Sequence, residues 1–156
     1  MNSWRSLGIL AVISLGTGCA TQNGRSAARG ATLHVRTTAY THTEAGGSRN
    51  AIGCTLACGE VNSASADWSR YPLGTKFQIL NTGEVFQIDD YGGALVGTNT
   101  IDLYKNTRLG MRNWGVRYVD IRILEWGSPE KSLEVLKPRA FVHRVRVMID
   151  SLTASG

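Results

Sequence analysis

Cysteine is scarce in this chain of 156 residues: there are three, and two of them stand as C-x3-C, Cys54 and Cys58, in IGCTLACGE. A metal centre needs further Cys, His or carboxylate ligands at close spacing. His34, His42 and His143 lie scattered, so no metal and no cofactor is expected. Cys54 and Cys58 read instead as small buried residues or as a local disulfide in an oxidising compartment. Basic residues do not interleave with aromatics, and no nucleic-acid motif occurs. The net charge of +5 and pI near 9.4 therefore point to an acidic partner other than nucleic acid, such as anionic lipid or a wall polymer. No strand–helix alternation and no internal repeat is evident. The last absence is local: IDDYGGALVGTNTIDLY, residues 88–104, holds three aspartates and no Lys, Arg or His.

What is present begins at the N-terminus. After Arg5, LGILAVISLG (7–16) is apolar but too short to cross a bilayer. Small residues follow, and TGCA (17–20) ends the segment, the layout of a secretory signal. With Gly-Cys at its end it resembles a bacterial lipoprotein signal, which would make Cys19 the lipidated first residue of an exported, membrane-anchored protein. Ala20 after that cysteine suits the outer membrane of a Gram-negative cell. The expected organisation is a signal over 1–18, a flexible tether over 19–31, a folded domain over 32–137, and a helix with its tail over 138–156.

Within the domain, LHVRTTAY alternates like a strand, and so do KFQIL and EVFQIDD, joined by NTG as a hairpin. IDLY and VRYVDIRIL add two strands, and KSLEVL is expected to be the last. KNTRLGMRNWG reads as a short helix closing at Gly115. FVHRVRVMIDSL sets Phe141, Val145, Met148, Ile149 and Leu152 on one helical face. Short strands between glycine turns predict an all-β, small closed barrel with a short helix and a C-terminal helix.

Three stretches, SADWSRYPLGTKFQI, IDDYGGALVGTNTIDLY and NWGVRYVDIRIL, resemble the 3D (three-aspartate) domain. That domain is found in the membrane-bound lytic transglycosylase A family and in smaller bacterial proteins of wall turnover. The likeness runs from Ala64 to Leu124, with TTAY upstream. It implies a six-stranded double-psi β-barrel and places the three aspartates at Asp67, Asp90 and Asp102. Val96 and Thr100 stand where the family often carries basic residues. By this resemblance Asp90, beside the Gly92–Gly93 turn, is the catalytic acid, and Asp67 and Asp102 hold and tune it. Strict alternation along 84–90 puts Asp89 on the opposite face, outside the cluster.

The chemistry suits acids without a cation close in sequence. A lytic transglycosylase needs one carboxyl, protonated at neutral pH to assist the leaving sugar and then ionised to act as base. Burial or a neighbouring carboxylate supplies that proton affinity. Tyr40 and Tyr91 can stack on sugar rings, and Gly92 and Gly93 let a sugar approach the backbone. Trp68 and Trp114 read as packing residues. The expected partner is the glycan strand of peptidoglycan, and the expected reaction is cleavage of the MurNAc–GlcNAc bond to a 1,6-anhydro end. Two alternatives stand beside it: a glycan-binding module of expansin type without turnover, and hydrolysis with a second carboxylate as base. The sequence leaves the oligomeric state open.

Overall fold

The computed structural model describes residues 30–44, 47–57 and 59–154. The expectations for the signal, for the tether up to residue 29, for Cys19 and for Cys58 lie outside these residues; Gly30 and Ala31, expected to end the flexible tether, are instead hydrogen-bonded to Ile123 and extend the ordered domain. Six strands form the wall of a closed barrel: β1 (Thr32–Tyr40), β2 (Asn62–Ser65), β3 (Lys76–Ile79), β4 (Val85–Asp90), β5 (Thr100–Tyr104) and β6 (Arg117–Glu125). Their order around it is β1-β5-β2-β4-β3-β6. β1 runs parallel to β5 and β2 parallel to β4, and the other neighbours are antiparallel. The links β1→β2 and β4→β5 each straddle one intervening strand. Exchanging the first three strands for the last three leaves the circular order unchanged. This is the mixed, doubly crossed barrel that was expected, although no sequence repeat accompanies the symmetry.

Alternation explains the wall. Val35, Phe77, Ile79, Phe86, Ile88, Ile101, Leu103, Ile121 and Ile123 point inward and are fully buried. Residues between them face outward, which puts Thr38 and Tyr40 of β1, and Asp102 of β5, on the outer surface of the wall. Trp68 and Trp114 are buried, as packing residues should be. Helix α1 (Arg108–Trp114) opens on Thr107, whose side chain accepts from the Gly110 N–H, and closes at Gly115 with φ 59°.

Two elements differ from the sequence expectation. KSLEVL is not a strand: it lies in α2 (Pro129–Leu136). Ser128 caps that helix by accepting from the Lys131 N–H, and Pro129 sits in its first turn, where its missing N–H costs nothing. Leu133 and Leu136, three apart, then meet the core from one helical face. The sixth strand is instead β2, NSAS, which carries no bulky residue and whose four positions are all buried between β4 and β5. In the C-terminal helix α3 (His143–Ala154), Val145, Met148 and Leu152 are buried, but Phe141 precedes the helix and is 81% exposed.

One corner is packed backbone to backbone. The Pro72-Leu73-Gly74-Thr75 turn lies so close to Gly127 that a Cβ there would sit 2.3 Å from the carbonyl oxygens of both Pro72 and Leu73. The Gly127 N–H donates to Thr75 Oγ1, and the Ser128 N–H to the Leu73 carbonyl. Ser132 of α2 accepts from the Leu73 N–H. The P-L-G-T turn thereby ties the start of α2 to the barrel.

Candidate active site

The site is built from a row of outward residues across four adjacent strands. Ser65 of β2 pairs with Asp90 of β4 on one side and with Asp102 of β5 on the other. Asp102 in turn pairs with Thr38 of β1. Adjacent strands are about 4.8 Å apart, so the backbones of Asp90 and Asp102 are separated by about 10 Å. Tyr40 stands two residues beyond Thr38 on the same outer face.

Asp90 reaches this row through a β-bulge. Ala64 pairs with Ile88, but the next residue, Ser65, pairs with Asp90, leaving Asp89 as an extra residue. With Phe86 and Ile88 inward, unbroken alternation would turn Asp90 towards the core. The bulge re-aims it outward, the usual use of an inserted residue near a site. The Asp90 carbonyl is fixed by the Ala66 N–H at 3.2 Å and by the Trp68 indole at 2.8 Å. Trp68 also meets Tyr91 edge-on, with ring centroids 5.0 Å apart.

The bulge also corrects the expectation for Asp89. It does not lie apart from the other acids but is packed beside them, 8% exposed. Its Oδ2 accepts from Asn50 Nδ2 at 2.9 Å and from Ser63 Oγ at 2.6 Å. Its Oδ1 is buried and has no hydrogen-bond partner among the described residues, and the same holds for the Tyr40 and Thr41 hydroxyls.

The electrostatics raise the proton affinity of Asp89, Asp90 and Asp102, chiefly through burial. Burial pushes the Asp90 carboxyl up to about 6, and the charge of Asp89 adds to this. Hydrogen bonds from the backbone of Tyr91 and Ala51, and the charge of Arg139, pull the other way without cancelling it. Burial also raises Asp102, with Glu44 adding to it, against a 2.6 Å hydrogen bond from Thr38 and the charge of Arg36. Burial and then Asp90, Asp89 and Asp102 push the Tyr40 phenol far above its ordinary value, so it stays a neutral donor. Cations therefore do reach the acids, but from distant parts of the chain: Arg36 on β1, and Arg139 in the turn ahead of α3. The larger cause of the raised Asp90 is burial, and the neighbour that adds to it is Asp89, not Asp67 or Asp102.

Asp67 is engaged differently. It is 2% exposed, and its Oδ1 accepts from both the N–H and the hydroxyl of Ser69, at 2.9 and 2.7 Å. Its Oδ2 accepts from the Gly97 N–H at 2.7 Å. The carboxylate thus ties the turn after β2 to the loop before β5, a structural task rather than the tuning expected of it.

The other expected contacts are partly occupied by the chain itself. Tyr91 lies under Arg139, whose guanidinium is 5.9 Å from the ring centroid and also donates to the Ala51 carbonyl at 2.8 Å. A Cβ on Gly92 would meet Leu95 at 3.3 Å, and one on Gly93 would meet the Arg144 side chain at 3.7 Å. Close approach to this turn is therefore made first by Leu95 and by α3. The sequence signal for Arg139 and Arg144 was only their charge; nothing in it showed which surface they cover. No group of His, Cys, Asp and Glu among the described residues is arranged to hold a metal ion.

No protein-family model matches this chain, and no curated protein matches it.

Proposed function

We propose that this barrel cleaves the glycan strand of peptidoglycan as a lytic transglycosylase, with Asp90 as its acid and base. The supporting observation is Asp90 itself: a half-buried carboxyl, turned out of the barrel by a bulge and retaining its proton towards pH 6. A proton-bearing acid on an accessible wall can protonate the glycosidic oxygen, and the C1–O bond then breaks as the leaving sugar takes that proton. The ionised Asp90 next removes the proton from the C6 hydroxyl of the remaining sugar. The C6 oxygen bonds to C1, the anhydro ring closes, and Asp90 is protonated again for the next cycle. No water is consumed. Tyr40, held neutral among the acids, supplies a hydroxyl donor to the sugar or to Asp90, and Asp102 adds negative charge that favours a cationic transition state.

The resemblance to the 3D domain leads to the same substrate. The lipoprotein-like start places the protein, in this reading, in the periplasm and anchored through Cys19 at the outer membrane. A second reading, a glycan-binding module without turnover, is favoured by Arg144 lying against Gly93, where a sugar would otherwise meet the turn.

The test is mass spectrometry of purified peptidoglycan after incubation with the protein and with Asp90→Asn. Anhydro-muropeptides from the native chain alone would support the transglycosylase. Reducing-end products would replace it with a hydrolase. Glycan pull-down by both proteins with no products would leave the binding module.

A further inference from the structure

Asp89 has no part in that reaction, yet its Oδ2 is held by two side-chain donors, Asn50 and Ser63. Both of these side chains are themselves oriented. Ser63 Oγ accepts from the Ala57 N–H at 2.9 Å, which turns its hydroxyl hydrogen towards Asp89. Asn50 Oδ1 accepts from the Cys54 N–H at 2.9 Å, which fixes the amide so that its NH2 faces Asp89. Two hydrogen-bond chains, one from each end of the loop over 50–57, converge on a single carboxylate oxygen. The other oxygen is buried with no partner among the described residues. A purely structural aspartate would satisfy both oxygens, as Asp67 does.

We infer that Asp89 is a positioning residue for the reaction: clamped through Oδ2 by Asn50 and Ser63, it holds a fixed negative charge beside Asp90 and so keeps the working proton on Asp90. This role rests on the reading of Asp90 as the acid. The bulge is what brings the two carboxyls to the same side of the strand, since consecutive residues of a regular strand point apart. Burial raises the proton affinity of Asp89 as well, and the donors from Ser63 and Asn50 pull it back by favouring the ionised form, which biases the charge to Asp89 and the proton to its neighbour. The remaining groups around Asp90 are Tyr40 from β1, which remains neutral, and Arg139 from the turn before α3, which opposes the effect, whereas the charge of Asp102 from β5 acts on Tyr40. Adjacent carboxyls that interact titrate as a pair, and in this proposal the clamp decides which one loses its proton first.

The test is a carboxyl carbon-13 NMR titration of the full chain, comparing native protein with Asp89→Asn and Ser63→Ala. In Asp89→Asn the Asp90 titration should move down by about one pH unit, the scale on which a neighbouring charge acts. In Ser63→Ala the two resonances should move in opposite directions, Asp89 up and Asp90 down, and this second variant serves if the first does not fold. With peptidoglycan, the alkaline fall in activity should move to lower pH in both variants with KM little changed, which a loss of packing alone would not produce. An Asp90 titration that stays in place in the variants overturns the role, whether or not the native chain cleaves glycan. Moved titrations in a chain that forms no anhydro products would sink the transglycosylase reading and leave the carboxyl pair standing.

Discussion

Asp67 and Asp90 lie at opposite extremes of how this barrel treats a sheltered carboxyl. Asp67 is nearly sealed from solvent, and three donors from Ser69 and Gly97 cover both of its oxygens. Asp90 is less deeply placed, yet its proton affinity is raised to about 6, because its own donors do not offset burial and a second carboxyl beside it adds to the effect. Depth alone does not mark a candidate acid. The balance of donors against burial does, and it separates two aspartates that a motif would group together.

The largest effect that could break this comparison is catalytic. On the proposed transglycosylase reading, Asp90→Asn should lower anhydro-muropeptide formation by roughly 10³-fold, within the range for loss of a general acid–base. Asp67→Asn should leave more than a tenth of the rate per folded molecule. Equal losses in the two variants would erase the distinction.

The next effect is on stability, and its sign is opposite at the two sites. An amide at Asp67 can accept on only one side, so Ser69 or Gly97 loses a partner and the fold should weaken by about 2 kcal/mol. Asp90→Asn keeps an acceptor for the Tyr91 N–H and removes a charge that burial disfavours, so at pH 7 it should stabilise the fold by about 2 kcal/mol. Urea melts of both variants at one pH would show the two midpoints moving apart.

The pH dependence sharpens the same point. Because the folded-state affinity of Asp90 is raised, the folded chain binds its proton more tightly than the unfolded chain. Its contribution to stability is present in full below about pH 4 and is lost as pH rises through about 6. Asp89 and Asp102 act in the same direction. Native protein should therefore lose stability across that window, and Asp90→Asn should lose less of it.

The smallest effect concerns the rim. Arg144→Ala uncovers Gly93 without touching an acid, and should change KM for glycan by less than about tenfold, the equivalent of 1.4 kcal/mol. A gain in turnover would mean that α3 restrains the site.

Most of the barrel wall was legible because its strands alternate bulky and polar residues and each strand carries that signal alone. β2 was not, since NSAS fills a narrow space between two strands with small side chains and has no bulk to alternate. KSLEVL misled because six residues with apolar positions fit both periods, while Ser128 and Pro129, which decide for a helix, lie just before them. At the site, Asp90, Asp102 and Tyr40 could be picked out as a group. The place of Asp89 could not, because a bulge is a property of two paired strands and strict alternation along one of them gives the wrong face. The clamp of Asn50 and Ser63 was equally hidden, since it depends on a loop folding back across β2.

The corner at Gly127 carries a different kind of consequence. Its Cα lies against two carbonyl oxygens of the P-L-G-T turn, and neither belongs to a side chain that could swing aside. In a library randomised at every position and selected only for folded protein, position 127 should return glycine and nothing else, even if the acids drift. A search for distant sisters of this chain would then do better to anchor on the spacing between that turn and this glycine than on the aspartates.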